Sequence, residues 1–116
     1  MGQVRVYCTF QVPGYHRWPD ALPAAKYLSF EHRHVFHVRV EIQVKHNERD
    51  VEFIRFKEIA KVAFESLGRP SIYGDIHFDG QSCETLATNL IQALGDYEVV
   101  QVEVSEDGEN GAVVSV

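Results

Sequence analysis

The sequence predicts an α+β sandwich in which four antiparallel strands carry two helices on one face, and three observations predict it. Segments near both ends alternate apolar and polar residues, as half-buried strands do. Between them, two segments repeat apolar residues at three- and four-residue steps, the spacing of amphipathic helices. With 116 residues, 45% of them apolar, the chain can close one core, so a single domain over 1–116 with the order β-β-α-α-β-β is expected.

Val4, Val6, Cys8, Phe10 and Val12 alternate with Gln3, Arg5, Tyr7, Thr9 and Gln11 in the first strand. Pro13-Gly14 is expected to end it, and a loop follows through Trp18-Pro19-Asp20 and Pro23. The second strand is read from Glu31 to Lys45. Its Phe36, Val38, Val40, Ile42 and Val44 share one face, and His37, Arg39, Glu41, Gln43 and Lys45 take the other. Beyond the polar turn His46-Asn47-Glu48-Arg49-Asp50, a helix is expected over Val51 to Leu67. Phe56, Ile59, Ala60, Ala63, Phe64 and Leu67 form its stripe, and Gly68 with Pro70 stops it. A loop through Tyr73-Gly74-Asp75 leads to Ser82, which can cap a second helix with Glu84 in its first turn. Leu86, Leu90, Ala93 and Leu94 are its stripe and Gly95 its end. Val100, Val102 and Val104 then alternate with Gln101, Glu103 and Ser105, and Gly108-Glu109-Asn110-Gly111 turns into a last strand, Ala112 to Val116.

Composition excludes several classes of function. The net charge of −6 and the lack of a basic run argue against nucleic acid or an anionic membrane surface as partner. No apolar stretch is long enough to span a bilayer, and the alternating stretch from Met1 to Val12 has no signal-peptide character. The two cysteines, Cys8 and Cys83, form no C-x-x-C pair and no disulfide framework, which fits a reducing cytoplasm.

The chemistry concentrates in His32-Arg33-His34. Side chains two apart on a strand project together, and these imidazoles continue the apolar face of the second strand. Two neutral imidazoles so placed suit a divalent metal, with Zn²⁺ the default and His16 available as a third ligand. A His-x-His pair also occurs in cupins and at plain polar strand ends. A cupin, however, would want a Glu four or five residues after His34, and the next here is Glu41. Glu106 continues the apolar face after Val104. It either ends that face with a carboxylate that needs a partner, or lies solvated in the turn. Cys8 has core parity, His37 faces away from the histidine pair, and His46 falls in a polar turn.

These residues resemble the 6-pyruvoyl- and 6-carboxy-tetrahydropterin synthase family over nearly the whole chain. The elements that carry the resemblance are His16, His32-Arg33-His34-Val35-Phe36, Glu52-Phe53-Ile54-Arg55-Phe56-Lys57, Gln81-Ser82-Cys83-Glu84-Thr85-Leu86-Ala87 and Val104-Ser105-Glu106-Asp107, in that order. The resemblance implies the tunnelling fold, Zn²⁺ held by His16, His32 and His34, and Glu106 binding the N–H edge of a pterin. It also implies a lyase reaction on dihydroneopterin triphosphate or a close relative. The family's catalytic Cys is missing: the position four before His32 is Leu28, and Glu31 is the nearest acid. Arg33 replaces the family's Gly between the histidines, and only Asp75-Ile76-His77-Phe78 stands in for its Asp-His relay. The candidate bases are therefore His77 oriented by Asp75 and, second, Cys83 at a helix N-terminus, where a thiol's pKa falls. Trp18 and Phe30 could stack on a ring, and Arg17, Lys26 and Arg33 could meet phosphate, although covering the core and solvation are their plainer roles. Exposed sheet edges, and the family's ring-shaped assemblies, point to a trimer or hexamer. A non-catalytic pterin- or purine-binding protein, or an oligomer whose histidines are incidental, are the alternatives.

Overall fold

The computed structural model describes residues 2–116, so Met1 lies outside it. The elements run β1 (Arg5–His16), a 3-10 segment (Pro23–Ser29), β2 (His32–Gln43), α1 (Phe53–Glu65), β3 (Arg69–Pro70), β4 (Ile76–His77), α2 (Cys83–Ala93), β5 (Glu98–Glu106) and β6 (Asn110–Ser115). The α+β class and the placement of the four long strands and two α-helices agree with the sequence. The sheet, however, has six strands in the order β3-β4-β1-β2-β5-β6, not four.

The two extra strands lie in what reads as a loop. They are two residues each, too short to show a period of two, and they form because glycine lets backbones approach. A Cβ on Gly14 would meet the Ile76 carbonyl oxygen and the Phe78 ring at 2.8 Å, so only glycine admits the parallel β1–β4 pairing at Gly14↔Ile76 and Tyr15↔His77. For the same reason β1 does not stop at Pro13-Gly14 but continues to His16. Since β4 pairs with β1 only from Gly14 onward, Pro13 has a strand neighbour on one side alone, the setting in which a strand tolerates proline.

Helix α1 begins two residues later than the expected Val51. Glu52 is its cap, with Oε1 and Oε2 accepting from the Ile54 and Arg55 N–H groups at 3.1 and 2.8 Å. Helix α2 starts as expected: Ser82 Oγ accepts from Thr85 N–H at 3.1 Å. Both helices cover one face of the sheet. Phe56, Ala60 and Phe64 of α1 and Leu86, Ala87 and Leu90 of α2 meet the even-numbered strand residues Phe10, Val12, Phe36, Val38, Val40, Val102 and Val104, all buried. Phe64 and Phe78 (centroids 5.1 Å apart) and Phe36 and Phe78 (5.3 Å) carry this core toward one end of the sheet. The other face bears odd-numbered, mainly polar residues. Among the described residues no helix is long and apolar enough to cross a membrane.

Candidate metal centre

The core face does not stop where the aliphatic residues do. His16 lies directly across from His32 in the β1–β2 ladder, Gly14 across from His34, and Phe36 across from Glu106 in the β2–β5 ladder. The even parity that buries Phe36 and Val104 therefore brings His16, His32, His34 and Glu106 onto the same face at the sheet's end. Phe36 is the floor, with its ring centroid 5.1 Å from that of His16. Glu106 is the last residue of β5 and faces the histidines. The reading that left it solvated in a turn is thereby corrected: the hairpin turn begins one residue later.

Each imidazole is held from behind through Nδ1. His16 Nδ1 lies 3.0 Å from the Gln81 carbonyl oxygen, His32 Nδ1 3.0 Å from the Phe30 carbonyl oxygen, and His34 Nδ1 2.7 Å from Asp107 Oδ2. A carbonyl can only accept, and so can an ionised carboxylate, so in all three rings Nδ1 carries the proton and donates. In the neutral ring this tautomer leaves Nε2 as a lone pair, the form in which imidazole binds a metal. One ligand atom from each of His16, His32, His34 and Glu106 lies within 4.8 Å of all the others. Atoms around a tetrahedral zinc stand roughly 3.4 Å apart, so small side-chain rotations complete the fit.

The best test of that fit is His16, only 6% exposed. Its Nε2 is buried and makes no hydrogen bond, although Glu106 Oε2 is 2.6 Å away and also 3.5 Å from His34 Nε2. A lone pair facing a carboxylate oxygen at that range is two acceptors in contact, which is unfavourable unless a cation or a proton mediates. Burial pushes the His16 imidazolium below its ordinary pKa, outweighing the opposing pull of the Gln81 carbonyl and Glu106. A second proton on the ring is thus disfavoured, and a metal ion is what the donor set fits. The set accommodates zinc without singling it out from other divalent ions that accept nitrogen and oxygen ligands.

A cavity of about 570 Å³ opens over these residues, walled by Trp18, Leu28, Ser82, Cys83 and Glu84 among others. That is the size of a small-molecule pocket. Trp18 lies in the loop after β1 and Leu28 in the 3-10 segment that follows, and Trp18 N–H donates to the Leu28 carbonyl at 2.7 Å. Ser82, Cys83 and Glu84 are the start of α2.

The expected bases fare differently. Asp75 does not orient His77. It accepts from Arg33 Nε at 2.9 Å, while His77 Nδ1 faces Glu31 Oε1 at 3.1 Å and its ring stacks on Tyr15 at 5.1 Å. Tyr15 and Arg33 have odd parity, so this group occupies the opposite face of the sheet, and within one chain it cannot reach the cavity. Alternation along β4 is the cause: Ile76 is buried in the core, which turns its neighbour His77 outward. Cys83 does line the cavity, but burial and the charges of Glu106 and Glu84 push its thiol up to about 12. The helix N-terminus does not make it a thiolate. Asp107 and the backbone carbonyls of Phe30 and Gln81 were not singled out from sequence. Asp107 could have been, as a second acid directly after Glu106; the carbonyls carry no side-chain signal.

No family model matches the chain, and no curated protein matches its sequence. Among solved structures it superposes on uncharacterized protein WS1659 from Wolinella succinogenes with a TM-score of 0.66 at 16% identity, covering 99% of each chain. Over its whole length, then, this chain shares the fold of that protein.

Proposed function

We propose that the chain is a zinc-dependent pterin-converting lyase of the tetrahydropterin synthase type, with the tunnelling fold, acting on dihydroneopterin triphosphate or a close relative. One observation carries the reading: three Nδ1-anchored imidazoles turn Nε2 toward Glu106 at the base of a small-molecule cavity. A zinc ion held by His16, His32 and His34 would polarise the hydroxyl groups of a substrate side chain. Glu106 would accept the parallel N–H donors of a pterin edge, a pairing that a half-buried carboxylate favours. Trp18 and Leu28 would cover the flat ring and keep water from it. Cys83, as a protonated thiol, can donate a proton but is a poor base.

A second reading is a pterin- or purine-binding protein that performs no chemistry. It is favoured by the placement of the expected base pair, His77 and Asp75, on the other face of the sheet. Zinc-loaded protein incubated with dihydroneopterin triphosphate distinguishes the two. A new pterin product supports the lyase, and a tight zinc-dependent complex that returns the ligand unchanged supports the binder. No binding overturns both.

The edges favour assembly. The side of β1 away from β2 has a strand neighbour only at Gly14 and Tyr15, and the outer side of β6 has none among the described residues, so a trimeric or hexameric ring with the cavity near a subunit boundary is part of the proposal. A monomer by light scattering at micromolar concentration would overturn that part. Both cysteines are free and buried, which is compatible with the cytoplasm as the compartment.

A further inference from the structure

We propose that Asp107 is the positioning residue of the metal centre: from the β5–β6 turn it holds His34 in the tautomer that directs Nε2 into the cavity, and so strengthens metal binding. The inference rests on the metal reading above and goes one layer deeper.

The three imidazoles are not held alike. His16 and His32 donate to backbone carbonyls, whereas His34 donates to a carboxylate at 2.7 Å, the shortest of the three contacts. A charged acceptor makes a stronger hydrogen bond than a neutral one and shifts electron density toward the far nitrogen, making it a better ligand. That carboxylate is itself fixed. Asp107 Oδ1 accepts from Val35 N–H at 2.8 Å, and Asp107 N–H donates to the Val35 carbonyl at 2.8 Å. The backbone of the residue beside His34 therefore clamps Asp107 from both sides.

The turn meets a conformational cost to do this. Asp107 has φ +57°, left-handed backbone that Asp tolerates better than most residues, and Gly108 follows at φ +72°. Two consecutive residues thus bracket one ring: Glu106 approaches Nε2 of His34 at 3.5 Å and Asp107 binds Nδ1 at 2.7 Å. Neither His16 nor His32 has such an arrangement.

Asp107→Asn is the test. The side-chain oxygen can still accept from Val35 N–H, but the amide NH₂ then faces His34 Nδ1. The ring must release that proton and carry it on Nε2, the wrong tautomer for a ligand. Nitrogen-15 NMR of the metal-free protein reads the tautomer, and competition against a fluorescent chelator reads zinc affinity. In the wild type, His34 is expected to carry its proton on Nδ1. In Asp107→Asn the proton moves to Nε2 and zinc binds roughly 10- to 100-fold more weakly. Asp96→Asn, which removes the same charge beyond the far end of α2, leaves affinity within about twofold.

An Nε2–H tautomer in the wild type, or wild-type zinc affinity in Asp107→Asn, would overturn the proposal. Should Asp107→Asn fold poorly, the wild-type tautomer alone decides the positioning. If the wild type binds no zinc, the metal reading falls and the affinity claim with it, while the tautomers still decide whether Asp107 sets the ring.

Discussion

At one end of the sheet, the two faces are built from the same residue types and do opposite things with them. On the outer face, Arg33 meets Asp75, His77 meets Glu31, and the His77 ring lies flat on Tyr15. Both of these pairs join a nitrogen donor to a carboxylate. On the inner face, His16, His32 and His34 spend their N–H groups on acceptors behind them and turn lone pairs toward a carboxylate. Complementarity there is complete only when a cation is added. The presence of histidines and acids is therefore not informative in itself. What distinguishes a structural cluster from a metal centre is which nitrogen each ring has left over.

The largest expected effect breaks this contrast directly. His16→Ala or His34→Ala should lower zinc affinity by more than about 100-fold, because removing a first ligand costs more than removing the group behind it. His77→Ala should leave zinc affinity within about twofold, while costing the Glu31 contact and the stacking on Tyr15, the latter about 0.5–1.5 kcal/mol of stability. Metal content by mass spectrometry of the native protein, together with chelator competition, checks both. Equal losses from the two faces would mean that the faces are not functionally distinct.

The thiols sharpen the comparison from a different direction. Burial pushes Cys8 up to about 11 and Cys83 up to about 12, the second helped by the Glu106 charge. At mildly alkaline pH the native protein should react with a thiol reagent on the order of 100-fold more slowly than the unfolded chain. The sign for stability follows. Both thiols hold their protons more tightly when folded, so their contribution is intact below the ordinary thiol pKa and is lost as pH rises through the folded values. A Cys83 that reacts at the rate of a free thiol would restore it as a candidate base.

Much of the fold was legible because alternation and helical spacing report burial directly. The parity of Phe36, Val38 and Val40 placed His32 and His34 on the core face, whereas the parity of Val102 and Val104 left Glu106 open between that face and the turn, because alternation does not mark where a strand ends. Legibility failed where structure depends on close backbone approach. β3 and β4 have two residues each, and their pairing depends on the missing Cβ of Gly14 against β4 and of Gly68 beside β3, not on any pattern within Arg69–Pro70 or Ile76–His77. The Asp75–His77 pairing failed for a different reason: both residues lie on the outer face, but Arg33 takes Asp75 and Glu31 takes His77, partners distant in sequence. The acceptors behind His16 and His32 are main-chain carbonyls, invisible to any reading of side chains.

Gly14→Ala tests whether that backbone approach supports the metal centre as well as the sheet. The added methyl would meet the Ile76 carbonyl oxygen at 2.8 Å and the Phe78 ring at 2.8 Å, and both belong to the well-packed layer beneath the histidines. Overpacking of this kind costs about 1–3 kcal/mol. Urea unfolding should show the loss in the midpoint with an unchanged slope. Zinc affinity should fall less than in His16→Ala, because the ligands remain while β1 shifts against β4. An unchanged midpoint would mean that β4 moves away freely and contributes nothing to the floor of the site.

The smallest effect concerns carboxylates that are satisfied, in contrast to Glu106. The Arg55 and Ile54 N–H groups hold Glu52 below the usual carboxylate range, the Arg69 guanidinium does the same for Asp79, and Val35 N–H followed by His34 does so for Asp107. The folded state binds fewer protons at these positions than the unfolded chain. Their stabilisation is thus fully present above the ordinary carboxylate pKa and is lost as pH falls through the lowered folded values. Glu52→Gln isolates one of them, since the amide oxygen can still accept an N–H but cannot ionise. The variant should be slightly less stable than wild type at neutral pH, and the two urea midpoints should converge on acidification, when Glu52 takes up its proton. A gap that persists unchanged into acid would show that Glu52 acts through its shape at the start of α1 and not through its charge. The acid sensitivity of the fold would then rest on the carboxylates paired with Arg69 and His34.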